Sequence, residues 1–187
     1  KYDTTSEKLF ERIEKELISP KEKMELLKHY VYSVIIQHED MHTKNLSLIY
    51  DKDLVFFAPL YDVSCTGIYD TSKGYDSHLT INGKQSNIRP NDFKPLCKIL
   101  KIDFKEFKEE AFKIAKLYET ELPSYIEEIK ALGSISFYKK KQKARIGEGA
   151  YLKVSKIPME FHEVLSKFHK ERVEHLKALG WIINKSL

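Results

Sequence analysis

Residues 30–36 read YVYSVII, apolar on nearly every side of a helix, and 38–45 read HEDMHTKN, dense in polar and ionisable groups with no helical stripe. A helix that is apolar all round belongs in the core. The polar stretch must therefore leave the core as a loop whose near end is fixed. Such a junction suits a site that needs charged groups on a rigid support.

The flanking segments give the rest of the architecture. Leu9, Phe10, Ile13 and Leu17 recur at helical spacing, with Ser6 as the expected cap. Ser19-Pro20 ends that helix and starts the next, which carries Met24, Leu27, Tyr30, Val31, Val34 and Ile35. After the polar loop, 46–50 and 54–57 read as two short strands joined through Asp51, Lys52 and Asp53. Residues 64–89 read as loops, with a short strand near 78–82 and a turn at Asn82-Gly83. Asn91 or Asp92 caps a helix reaching Leu100, Asp103 caps another, and a further helix follows Pro123. Residues 133–156 break the pattern, and Pro158 opens a last helix that Gly180 ends. The expected fold class is mainly α (α+β), with one or two small hairpins.

Composition narrows the function classes. The chain has 187 residues, a formal net charge of +4 and 12% aromatics. That excludes a disordered chain, and the mild charge argues against direct nucleic-acid binding. No stretch approaches the ~20 apolar residues of a membrane span. The two cysteines, Cys65 and Cys97, share no metal spacing, the N-terminus does not read as a signal peptide, and a cytoplasmic location is expected. The chain opens on Lys1 rather than Met, as a piece of a longer protein would.

The loop offers a specific chemistry. His38, Asp40 and Asn45 fit H-x-D-x-x-x-x-N, and Asp62 follows in APLYDV after the second strand. Phosphoryl transfer needs a carboxylate to orient the acceptor hydroxyl and accept its proton. It also needs oxygen ligands that hold Mg²⁺ against nucleotide phosphates. Mg²⁺ keeps several waters, so one amide and one carboxylate, Asn45 and Asp62, suffice. Two other readings exist: a turn and capping network with His38 as a core histidine, and a di-histidine metal site from His38 and His42.

DMHTKNLSLIY followed by APLYDV resembles the C-terminal region of HipA-like kinases, whose loop runs D-x-H-x-K-N-x-S-L. HLTINGKQSNIRPNDF at 78–93 is similar to that family's L-x-I-N-G-K segment, and the opening KYDTTSEKLFERIEK resembles its upstream piece. The resemblance covers roughly residues 1–130 and leaves 131–187 as a helical C-terminal extension. It implies a protein-kinase-like helical C-terminal lobe of a serine/threonine kinase of the toxin–antitoxin type, using ATP and Mg²⁺. In that reading Asp40 is the base, Asn45 and Asp62 bind the metal, Lys44 neutralises phosphate charge, and His42 and Tyr61 lie against the nucleotide. It further implies a protein substrate, an aminoacyl-tRNA synthetase in the family's known cases, and a helix-turn-helix antitoxin as partner. The chain departs from the family at Gln37-His38-Glu39, where Gly-Asn often precedes the base, and has YDV rather than DFG at Asp62.

Nothing ahead of residue 40 supplies a phosphate-covering loop or a strand lysine, so an N-terminal nucleotide-gripping lobe, in cis or in trans, is expected to complete the site. IGEGAYLKV at 146–154 imitates a Gly-rich loop through Gly147 and Gly149, but it follows the catalytic residues and has Leu152 in place of the third glycine. KKKQKAR at 139–145 reads as a solvated basic run. The rival functions are a small-molecule kinase of the aminoglycoside or choline type and a non-catalytic kinase-like binding module. Lys44-Asn45-x-Ser47 with the NGK segment separates the first from a HipA-like protein.

Overall fold

Pro20 at the first helical position and an unbroken apolar run set the central helix of this computed structural model, which describes residues 4–17, 19–141 and 155–183. That helix, α2 (Pro20–Ile35), buries Leu26, Leu27, Tyr30, Val31, Val34 and Ile35. Around it stand α1 (Ser6–Glu14), the hairpin β1 (Leu48–Asp51) and β2 (Leu54–Phe57), α3 (Lys94–Leu100), α4 (Phe104–Ala131), the hairpin β3 (Ser136–Lys141) and β4 (Ser155–Glu160), and α5 (Phe161–Leu179). Both sheets are antiparallel pairs, with Leu48 opposite Phe57 and Phe137 opposite Met159. The molecule is thus mainly helical with two small sheets, and one core built on Phe10, Tyr30, Phe93, Phe107 and Trp181 serves all the helices. No helix among the described residues is long and apolar enough to cross a membrane.

Several local outcomes differ from the sequence reading. Thr5, not Ser6, caps α1, its hydroxyl accepting from Lys8 N–H at 3.3 Å. α4 runs straight through Pro123 as one helix. Pro removes one backbone bond, but Tyr118 and Ile126 on either side are both buried and keep the two halves packed on one surface. No strand forms near 78–82; a single bridge, Ile81 to Lys84, closes the Asn82-Gly83 turn. Pro158 lies inside β4, and α5 starts at Phe161. The extension after 131 therefore holds a hairpin as well as a helix. Lys139, Lys140 and Lys141 fall in β3; the remainder of the basic run and the Gly147–Gly149 segment lie outside the described residues.

The extension shares the core. Trp181 is fully buried, its indole N–H donates to the Ile88 carbonyl at 2.7 Å, and its ring meets Phe93 edge-on at 5.6 Å. The NGK segment is structural: Asn82 Nδ2 and Lys84 Nζ both reach Asp92 Oδ1, at 3.0 and 2.9 Å, and Arg89 N–H donates to Asp92 Oδ2. Burial opposes ionisation of Asp92, but these donors outweigh it and hold the carboxyl below its ordinary value.

His29 supplies a pH response. It is buried in α2 with its ring against Phe57 at 5.5 Å. Burial, then the neighbouring His38, push its imidazole down to about 4. In the unfolded chain the group titrates near 6.5, so only the unfolded state gains a proton between these values. Stability from this group is intact above pH 6.5 and falls as the pH drops toward 4, by about 3 kcal/mol in all. Urea midpoints measured from pH 7 to pH 4 should fall steeply in the parent and less steeply in His29→Gln.

Candidate active site

The polar loop begins with a well-formed helix end. Gln37 adopts a left-handed conformation, φ 58°. Gln37 N–H donates to the Val34 carbonyl and His38 N–H to the Ser33 carbonyl at 2.9 Å. This double closure is the usual way a helix stops, with glycine favoured at the left-handed position. The family's Gly-Asn departure falls here, and this chain tolerates Gln instead. His38 points inward, 1% exposed. Burial pushes its imidazole down, while the carboxylates of Asp40 and Asp62 pull the other way.

Beyond His38 the chain turns outward. Asp40 is exposed and opens on a cleft of about 700 Å³ lined by Glu39, Thr66, Tyr69, Ser72, Tyr75 and His78 among others. A 3-10 turn, Thr43–Asn45, follows. It buries Asn45 and leaves Lys44 exposed, with His42 buried just before it. The Asn45 carboxamide works in two directions: its Oδ1 accepts from His42 N–H at 2.9 Å and its Nδ2 donates to Asp62 Oδ2 at 2.6 Å. Asp62 is exposed and left-handed, φ 53°, a conformation Asp accepts more readily than most residues. Tyr61 locks the two segments together. Its hydroxyl donates to the Lys44 carbonyl at 2.8 Å and meets Ser47 Oγ at 2.7 Å.

The structure thus joins Asn45, Asp62, Tyr61 and the Lys44 backbone in one network, with Asp40 on the same loop facing the cleft. Asn45 retains a lone pair on Oδ1, and Asp62 presents a carboxylate to solvent. An amide and a carboxylate in contact supply oxygens of the kind Mg²⁺ takes, which binds hard oxygen ligands and keeps its remaining positions for water and phosphate. Among the described residues no group of three or more His, Cys, Asp or Glu could hold a metal ion. The di-histidine alternative gains nothing from this geometry.

Sequence reasoning missed Arg172. It sits on α5, 5% exposed, and its guanidinium spans three partners. Nη1 pairs with Asp76 Oδ1 at 2.8 Å, Nε donates to the Ile35 carbonyl at 2.9 Å, and Nη2 donates to the Val34 carbonyl. A cation on the last carbonyls of a helix is favourable, and here it holds the very turn from which the site loop departs. A buried polar residue in an apolar stripe was the available signal. Arg172→Met should cost about 3–5 kcal/mol, because Asp76 is left buried and unpaired. Chemical denaturation would measure it, and the double variant with Asp76→Leu should recover much of the loss.

Comparison with known proteins gives the lineage. A family model described as the HipA-like C-terminal domain matches residues 1–134. No curated protein sequence matches the chain. Among solved structures, the Shewanella oneidensis toxin–antitoxin complex of HipA, HipB and operator DNA contains a similar fold, with a TM-score of 0.65 at 12% identity. The match covers 96% of this chain and 37% of that one, so this chain spans well under half the length of its structural relative. On the family match over most of its length, the chain is a member of the HipA-like C-terminal domain family.

Proposed function

We propose that this chain is the catalytic lobe of a serine/threonine protein kinase, transferring the γ-phosphoryl group of Mg-ATP to a protein hydroxyl. The observation that carries the reading is the 2.6 Å contact of Asn45 with Asp62, beside an exposed Asp40 on the same loop. Family membership supports it independently.

Asp40 orients the acceptor hydroxyl and takes its proton. As that oxygen bonds to the γ-phosphorus, the bond from phosphorus to the β–γ bridging oxygen breaks and ADP leaves. Asn45 Oδ1 and the Asp62 carboxylate would hold Mg²⁺, which supplies charge neutralisation at the phosphates when bound. Lys44, exposed one residue before Asn45, adds a cation for the same phosphates. His42 and Tyr61 border the nucleotide and keep the loop in shape. Tyr61 can do so only while its hydroxyl stays on the Lys44 carbonyl.

The described residues ahead of Asp40 are α1, α2 and their connections, so the reading places the phosphate-gripping lobe outside these 187 residues. In the family's pattern the acceptor is a protein such as an aminoacyl-tRNA synthetase, a helix-turn-helix antitoxin is the partner, and the setting is cytoplasmic. The relative solved with HipB and DNA is consistent with such a partner.

The test is where the phosphoryl group goes. The intact protein is incubated with Mg-ATP labelled at the γ-position and cell protein, and the label is located by mass spectrometry. Label on serine or threonine supports the reading. Label confined to small-molecule hydroxyls would move the protein to the aminoglycoside or choline class.

A further inference from the structure

The cleft beside Asp40 has one wall that no buried side chain anchors. From Tyr69 to Tyr75 no side chain is buried. Yet this stretch contributes Tyr69, Thr71, Ser72, Lys73 and Tyr75 to the cleft that Asp40 faces. Glu39 is what meets it. One carboxylate oxygen accepts from Gly74 N–H at 2.7 Å and Tyr75 N–H at 3.0 Å, and also from the Ser72 hydroxyl. The other accepts from Lys73 N–H at 2.9 Å. Gly74, φ 76°, gives the turn that aims these successive N–H groups at one point. A row of converging backbone donors of this kind selects an anion. At its start the stretch is held by Tyr69 N–H on the Thr66 carbonyl and Ser72 N–H on the Tyr69 carbonyl, both at 3.0 Å, and by the Tyr69 ring against Phe137 at 5.6 Å. Toward Tyr75 the other contacts are longer: Ser86 Oγ to the Gly74 carbonyl at 3.4 Å, and Lys73 over the Tyr75 ring at 5.9 Å.

Glu39 is itself fixed at its backbone. Its N–H donates to Thr66 Oγ1 at 2.7 Å, Thr66 in turn donates to the Gln37 carbonyl at 2.7 Å, and the Glu39 carbonyl meets His78 Nδ1 at 2.9 Å. The carboxylate therefore connects a rigid point, one residue before Asp40, to the 73–75 turn of the wall, whose N–H groups it collects.

We propose that Glu39 is a positioning residue: its carboxylate, seated in the donors of 72–75, sets the distance between Asp40 and the cleft wall that receives the acceptor. The acceptor part of this statement rests on the kinase reading; the seating itself does not. Thr71 and Lys73 then present a hydroxyl and a cation at a fixed separation from the base. An acceptor segment carrying a carboxylate near its reactive hydroxyl suits that wall.

Amide hydrogen exchange on this chain tests the seating without any nucleotide. In Glu39→Ala, exchange at the amides of 73–75 should rise about tenfold or more, since charge-assisted bonds are lost. Amides of α2 and of the β1–β2 hairpin should not change. Glu39→Gln, which keeps shape but loses charge, should fall between parent and Ala. Added acetate should restore protection in Glu39→Ala saturably, while chloride should not. Ser72→Asp, which sets a second carboxylate against the first, should release the wall as Glu39→Ala does. Unchanged exchange at 73–75, an equal rise throughout α2, or equal rescue by chloride would each overturn the proposal. In the phosphoryl-transfer assay, Glu39→Ala should raise the KM for a protein acceptor several-fold with the KM for ATP unchanged. Unchanged KM values for both would overturn the acceptor part alone, and absence of transfer in the parent would instead count against the kinase reading.

Discussion

Asp40→Asn is expected to lower phosphoryl transfer by on the order of a hundredfold to ten-thousandfold, the usual contribution of a positioned general base. Binding of Mg-ATP should stay within about twofold, since the metal and nucleotide in this account rest on other groups. The substitution is clean because Asp40 is exposed. Asn fills the same volume, and no buried partner is left unpaired. Thermal midpoints of parent and variant should therefore agree. A variant that lost binding and turnover together would place Asp40 among the metal ligands. One that kept full turnover would remove it from the mechanism.

The second large effect belongs to Asp62. Asp62→Asn should weaken Mg-nucleotide binding by at least about a hundredfold, because even partners outside the direct ligand shell change metal affinity by about 10–100-fold. Asn tolerates the left-handed backbone that residue 62 adopts, so the fold is spared. Asn45→Ala should reduce binding similarly but also cost about 1 kcal/mol of stability, the usual net worth of one hydrogen bond, since His42 N–H loses Asn45 Oδ1 at 2.9 Å and keeps only the Asp40 carbonyl. The two variants thus differ in denaturation and agree in binding. If Asp62→Asn bound Mg-ATP as the parent does, the metal role of the pair would fall.

Much of this was legible in the sequence where local physics decides the outcome. The apolar run in α2, the hairpin after the polar loop, and the helices bearing Phe107 and Leu176 follow from periodicity and caps. Asp40, Asn45 and Asp62 could be named because their spacing and types match a chemical need, and the structure then brought Asn45 and Asp62 into contact. What escaped depends on distant partners. Arg172 falls on the apolar stripe of α5, but its role shows only when Asp76 and the carbonyls of α2, 137 and 138 residues away, close on it. Glu39 looks like one more loop acid until the N–H groups of Lys73, Gly74 and Tyr75 turn toward it. Pro123 and Pro158 misled for a related reason. A proline signals a local break, but packing of Tyr118 and Ile126 carries α4 across one, and pairing with Tyr138 holds the other in an edge strand.

The most direct test of the central claim is paramagnetic broadening by Mn²⁺-ATP, since Mn²⁺ takes the same oxygen ligands as Mg²⁺. It registers weak binding, so it works on a lobe that grips nucleotide poorly. In an NMR titration of this chain, the side-chain amide of Asn45 and the backbone amides of Lys44 and Asp62 should broaden first. Those of α4 and the β3–β4 hairpin should stay sharp, and the selective loss should vanish in Asp62→Asn. Broadening centred elsewhere, or unchanged by Asp62→Asn, would contradict the assignment of Asn45 and Asp62 as the metal site and with it the kinase account.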